Sequence, residues 1–308
     1  MTKRKLQPFV APPDRPDTLP MGLELQTLAD AVERIGPARA RHSGRNAFNH
    51  LHKAWKLHPI DSEMSLFCAL TAEEEAASAL ILALRQQRYP GAKLLDPQSH
   101  MHKGAIWPII EAIARGHTDK GLSPPVISVS RKGRALVSAK IDIGPMIGHD
   151  GPYWAHSPDP FHFVLRSDEN GPFETHRWTK ELGQISGAEQ SIIDHIRTEA
   201  NIRNRLLYAT DKGMPGVEFP DASILLRLER VKWIMIAVIG ILQTKTKQLL
   251  VVQALEALLM ALRKFKGEGY EFPGFEGEIQ YLSIKQQPDG SFLSGFSIGP
   301  AKPKAKPA

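Results

Sequence analysis

Two stretches of this chain carry residues able to handle a phosphodiester. The first is Arg45-Asn46-Ala47-Phe48-Asn49-His50-Leu51-His52. On an α-helix, positions seven apart fall about 20° out of line and positions four apart about 40°. Arg45, Asn49 and His52 therefore share one face, and the long Arg45 side chain also reaches toward His50. A guanidinium that grips phosphate and an imidazole that moves protons are the minimum parts for cleaving RNA without a metal. The 2′-hydroxyl attacks the adjacent phosphorus, histidine manages the protons, and arginine stabilises the added negative charge. The plainer reading of the same spacing is an exposed basic helix face.

The second stretch is Arg197 to Tyr208, in which Asn201, Asn204, Arg205 and Tyr208 form a polar stripe at helical spacing. Arg203 and Asn204 repeat the Arg-Asn pair, with Tyr208 standing where a histidine would complete it. A tyrosine with its ordinary pKa near 10 is a poor base at neutral pH, so this stripe also reads as a structural seam. A third group is expected to support these two. Glu75 falls on the apolar stripe of its helix, seven residues after Cys68. His102 falls on another, four residues before Ile106. A buried carboxylate needs a partner, and His102, Lys103 or an arginine of the 197–205 segment would serve.

Other chemistry is thinly represented. His149, His156, His162 and His176 lie among Asp150 and Asp159, with gaps that match no metal-ligand spacing. They read as loop histidines, and no metal is expected. The chain has neither a phosphate-binding glycine loop nor a nucleophile elbow, and no cofactor is expected. The single cysteine, Cys68, sits in an apolar run and reads as core filler.

The elements that must position these groups are mostly helical. Residues 1–20 hold five prolines and read as a disordered arm. Helices are predicted over 22–35 and 45–57, separated by a break at Gly36, Pro37, Ser43 and Gly44. The next helix starts at a cap supplied by Asp61 or Ser62 and runs to about Arg88, with Met64, Phe67, Cys68, Ala72, Ala76, Ala79, Leu80 and Ala83 on a 3.6-residue stripe. A helix over 98–115 contains Pro108, which kinks or splits it. Residues 122–182 change character. Val126–Ser130 and Ala135–Asp142 read as strands joined at Arg131-Lys-Gly-Arg134, with a further strand near 161–166. Helix returns over 187–210. Segments 224–242 and 248–266 read as a long apolar helical pair, and 277–298 alternates like a hairpin around Pro288-Asp-Gly290.

The expected fold class is therefore mainly α: a helical bundle over 21–215, carrying a small β insertion at about 122–182. A C-terminal helical pair with a short β end covers 216–300, and a disordered basic tail covers 301–308. The charge balance of 39 Lys and Arg against 33 Asp and Glu gives +6, which permits contact with a polyanion such as RNA. One cysteine and an N-terminus without a signal-peptide pattern point to the cytoplasm. The longest apolar run, Trp233 to Leu242, is half of what a bilayer requires, so no membrane partner is expected.

Arg45, Asn46 and His50, or His52 at the longer spacing, resemble the motif of the HEPN superfamily of helical-bundle RNases. The ending Leu207-Tyr-Ala-Thr-Asp211 resembles the last helix of AbiV-type abortive-infection proteins of that superfamily. Thr71-Ala-Glu-Glu-Glu-Ala-Ala77 and His100-Met-His-Lys103 resemble two of their other segments. The resemblance covers about 42–115 and 187–212. It implies a HEPN-like bundle and a metal-independent endoribonuclease acting in phage defence or a toxin-type response. Its site would be built from Arg45 with His50 or His52, or from Arg203, Asn204 and Tyr208. Because such sites are composite across a two-fold axis, it also implies a homodimer. The alternatives are a non-catalytic module that binds RNA, a nucleotide or a protein partner, and a purely structural helical protein.

Overall fold

The structure is a computed structural model of the 308-residue chain. It describes residues 16–35, 37–108, 110–111, 125–129, 135–144, 147–157, 159–161, 220–266, 278–286 and 292–300. The predicted helix over 187–210, and with it Arg203, Asn204 and Tyr208, lies outside the described residues.

The described part is mainly helical with two small antiparallel sheets. Helix α1 is Leu23–Ile35 and α2 is Ala38–Leu57. The predicted break between them shrinks to two residues. Pro37 sits at the N-cap of α2 with φ −60° and ψ 153°, the extended geometry a cap requires. Ser43 and Gly44 lie inside the helix. Gly44 is there for packing rather than for a turn, since a Cβ on it would stand 2.4 Å from Val32 Cγ1 of α1. Its missing side chain lets the two helices approach.

Helix α3, Ser62–Gln86, starts as predicted. The Asp61 carboxylate accepts from the Met64 backbone N–H at 2.9 Å. It ends where Arg88 adopts φ 55° and Gly91 φ 76°, a left-handed pair that reverses the chain. The Arg85 guanidinium donates to the carbonyls of Ala92, Lys93 and Leu95 that follow. Cys68, Ala72, Ala76, Ala79, Leu80 and Ala83 are buried as the stripe requires, whereas Met64 is exposed.

The helix predicted over 98–115 is split. Helix α4 covers His100–Gly104, Ala105 is a turn, and helix resumes at 106–108. Pro108 has no N–H for the Gly104 carbonyl and its ring crowds that oxygen, which places the break one turn upstream of the proline.

Strands β1 (Val126–Val129), β2 (Ala135–Asp142) and β3 (Trp154–Ser157) form one antiparallel sheet in that order. The third strand of the sheet forms at 154–157, a segment not predicted as a strand. Phe161 is in a turn, and 162–166 lie outside the described residues. The Asp142 carboxylate sets up the return. It accepts from the N–H groups of Gly144 and Tyr153 at 2.9 and 3.0 Å. Helices α5 (Asp221–Leu242) and α6 (Leu249–Lys266) are the apolar pair, with the bend at 243–248. Strands β4 (Glu278–Gln286) and β5 (Phe292–Pro300) pair antiparallel as a hairpin.

Helix α5 is not an appendage. Its residues Ile224, Leu228, Val231, Ile234 and Met235 are buried in one cluster with α1, α2 and α3, and it packs against all three and against β2. The N-terminal arm joins that core before residue 20. Leu19 is buried, and the Trp55 ring N–H donates to the Pro16 carbonyl at 2.9 Å. Among the described residues no helix is long and apolar enough to cross a membrane.

Candidate functional site

Helix α2 divides cleanly into two halves. Ala40, Gly44, Ala47, Phe48, Leu51, Ala54 and Trp55 are buried. At about 100° per residue they fill one continuous arc. The opposite arc carries Arg39, Arg41, His42, Arg45, Asn46, Asn49, His50, His52, Lys53 and Lys56. Of these, only Arg41 and His50 are half-buried; the others are exposed. Across its 20 residues the helix has five Lys or Arg, three His and no acidic residue, so its outer face is a stripe of positive charge about 30 Å long.

Arg45 is gripped from α1. Its Nε donates to Glu33 Oε1 at 2.6 Å and its Nη2 to Oε2 at 2.5 Å. This is the bidentate fork that guanidinium and carboxylate geometry favour. The hydrogen bond from Arg45 holds the Glu33 carboxyl below its usual range. Arg41 reaches the same corner, donating to the Glu33 backbone carbonyl at 3.4 Å. Both groups of the pair stay in contact with water, with side chains 53% and 38% exposed.

The histidines of the motif do not share that corner. His50 faces the α3 side, where its Nδ1 is buried without a hydrogen-bond partner among the described residues. Burial, then the neighbouring Lys53 charge, push its pKa below the ordinary 6.5, against an opposing pull from Glu75. His52 stands on the Arg45 side. Partial burial and then Lys56 lower its pKa too. Both imidazoles are therefore mostly neutral at pH 7 and able to accept a proton.

The three consecutive glutamates of α3 go three ways. Glu73 is buried, accepts from Arg227 Nη1 at 2.5 Å, and meets Arg230 Nη1 at 3.4 Å through both oxygens. The Arg230 guanidinium lies 5.1 Å from the centre of the Trp107 ring. Glu74 takes Lys103 at 3.1 Å and His100 at 2.9 Å. Glu75 is half-buried beside His50. The buried carboxylate expected at 75 thus stands at 73, and the Lys103 partner belongs to Glu74. The reason is that α3 is covered on one side by α2 and on another by α5, so its buried arc is wider than one stripe. The one legible signal was Arg227 and Arg230, three apart in a mainly apolar helix. His102 is buried and its Nδ1 accepts from the Asp96 backbone N–H at 2.8 Å.

Elsewhere, His149 is exposed and its Nδ1 contacts the Gly151 carbonyl at 3.2 Å. His156 lies in β3, while His162 and His176 lie outside the described residues. Among the described residues no group of three or more His, Cys, Asp or Glu could hold a metal ion. Cys68 is buried and burial pushes its thiol pKa up, away from the thiolate. Sequence reasoning missed one polar centre entirely. The Tyr89 hydroxyl accepts from the Gln248 backbone N–H at 2.9 Å. The Gln248 side chain accepts from the Phe161 N–H at 2.8 Å and donates to the Gly240 carbonyl at 2.7 Å.

No family model, curated protein or solved structure matches the chain.

Proposed function

We propose that the protein is a HEPN-like helical module that binds RNA along the outer face of α2. The observation that carries this reading is the absence of any acidic residue from a 20-residue helix whose exposed arc holds five Lys or Arg. The cations of such a face neutralise phosphates and release the counterions condensed on the RNA. Asn46 and Asn49, both exposed between the cations, supply donors and acceptors for a 2′-hydroxyl or a base edge. Glu33 covers Arg45 in the free protein, and an incoming phosphate competes with it for the same fork.

Cleavage without a metal, in phage defence or a toxin-type response, is the second reading. It is favoured by one observation, the neutral His52 on the same exposed arc as Arg45. Arg203, Asn204 and Tyr208 remain its alternative centre. Both readings expect a cytoplasmic homodimer.

The test is fluorescence anisotropy with a labelled RNA at several salt concentrations. In parallel, the same RNA is incubated with protein in EDTA. Four contacts to a single strand give a log–log salt slope of about −3. The Lys53→Ala, Lys56→Ala double variant flattens it. Absence of binding at low salt removes both readings. Binding without cleavage, or cleavage that survives Arg45→Ala, His52→Ala and Arg203→Ala, removes the nuclease alone.

A further inference from the structure

Helix α2 stands on the bundle as a ridge. Its buried residues span an arc of about 120°, and both neighbouring helices lie under that arc. Helix α1 approaches at Gly44, where a Cβ would run into Val32. Helix α3 approaches at Ala54, whose carbonyl accepts from the buried Ser65 hydroxyl at 2.8 Å. About half of the circumference is therefore turned away from both, and the surface it presents is convex.

The cations on that surface fall into two rows. Arg45 and Lys56 mark one, Arg39 and Lys53 the other, and all four are exposed. At about 100° and 1.5 Å per residue, the rows stand roughly 90° apart and together cover about 25 Å of the axis. His42 and Asn49, also exposed, lie between them. Phe48 and Trp55 are buried, so imidazoles are the only rings on the outer arc of this helix.

We infer that α2 seats in the minor groove of double-stranded RNA, which rests on the reading of this face as an RNA-binding one. A single strand offers one row of phosphates, and proteins hold it in a basic groove with aromatic platforms for its bases. Helix α2 is convex and turns no large ring outward. Two rows of cations with hydrogen-bonding groups between them match two rows of phosphates with a groove floor between them, which a duplex supplies and a single strand does not. The major groove of an RNA duplex is too deep and narrow for side chains to read. Its minor groove is wide, shallow and lined with 2′-hydroxyls. A helix about 10–12 Å across lies along such a surface, and the Asn49 amide can both donate to a 2′-hydroxyl and accept from one.

The test compares three labelled probes on the full-length protein by anisotropy: a 20-base-pair RNA duplex, one of its strands alone, and the DNA duplex of the same sequence. The RNA duplex should bind about tenfold or more tighter than either of the others. Arg39→Ala and Lys56→Ala, one from each row, should each weaken the RNA duplex and each lower its salt slope by about one. Asn49→Ala should weaken the RNA duplex about three- to tenfold and leave the DNA duplex unchanged, because only RNA carries the hydroxyl that this amide meets. All three positions are exposed, so the variants leave the core untouched. A single strand that binds as tightly as the duplex, equal affinity for RNA and DNA duplexes, or dependence on one row alone overturns this inference and leaves RNA binding at α2 standing. No binding of either RNA probe at low salt removes both.

Discussion

Glu33–Arg45 and Glu73–Arg227 are the same chemical pair at the same 2.5 Å separation in two places. The first joins α1 to α2 with side chains 38% and 53% exposed. The second joins α3 to α5 with both side chains only 11% exposed. Water screens the first pair and competes for its hydrogen bonds, so it is exchangeable. The second has left water, and either charge alone would be costly in that position. Matching distances therefore carry no information about consequence. The exposed pair is where, under the proposed RNA binding, a phosphate would displace a carboxylate, and the buried pair is where the fold is held.

The largest expected effect breaks the buried pair. Glu73→Ala removes the carboxylate that Arg227 and Arg230 share, and should cost about 3–5 kcal/mol in urea unfolding. A cost below about 1 kcal/mol would put this pair on a level with a surface one.

The Tyr89 hydroxyl sharpens the buried side in a second way. Burial pushes its pKa up to about 12 from 10. The folded state keeps this proton between about pH 10 and 12, while the unfolded state loses it. The stabilisation is thus fully present below pH 10 and is lost as pH rises through 12, a total of about 2–3 kcal/mol. Urea midpoints at pH 8 and pH 11 should diverge in the parent and converge in Tyr89→Phe.

Gly44→Ala tests the spacing that aligns the exposed pair. Its Cβ meets Val32 Cγ1 at 2.4 Å and Met235 Cε at 3.0 Å, so about 1–3 kcal/mol should be lost. Val32→Ala in the same background should recover part of it. Full additivity in that double-mutant cycle would mean the two positions do not touch.

His50 gives a smaller effect with a defined sign. Its folded pKa lies below 6.5, so acid favours the unfolded state. The stability it contributes is present above about pH 6.5 and is lost as pH falls through the folded value. The slope of stability between pH 7 and 5 should be shallower in His50→Gln; an unchanged slope would mean that His50 titrates alike in both states.

The smallest effect on stability belongs to the exposed pair. Glu33→Ala should leave the melting temperature unresolved from that of the parent. In the same protein, affinity for RNA at low salt should rise about two- to fivefold as Arg45 comes free. A drop in melting temperature without that rise would reverse the assignment of the two pairs.

Much of the fold was legible from local rules. Asp61 at the head of α3, the 3.6-residue stripe behind it, the bend between α5 and α6 and the hairpin of β1 and β2 are each written within about 20 residues of sequence. The start of α2 was not, because Gly44 signals a turn unless Val32 is known to lie against it. The third strand was missed because the Asp142 side chain, bonded to Gly144 and Tyr153, brings Trp154 back onto β2. For the candidate site, residue types and the shared face of Arg45, Asn49 and His52 could be read, but side-chain directions could not. Arg45 turns to α1 and His50 toward α3.

The sequence by itself determined that α2 would be basic and α3 apolar with three acids in a row, since periodicity and composition belong to a single helix. Only the tertiary structure decided which of those acids is buried and which arginine holds it. Glu73 meets Arg227 from 154 positions away. A helical repeat specifies a face, but the element packed against that face comes from elsewhere in the chain, and burial makes the difference between an exchangeable ion pair and a structural one.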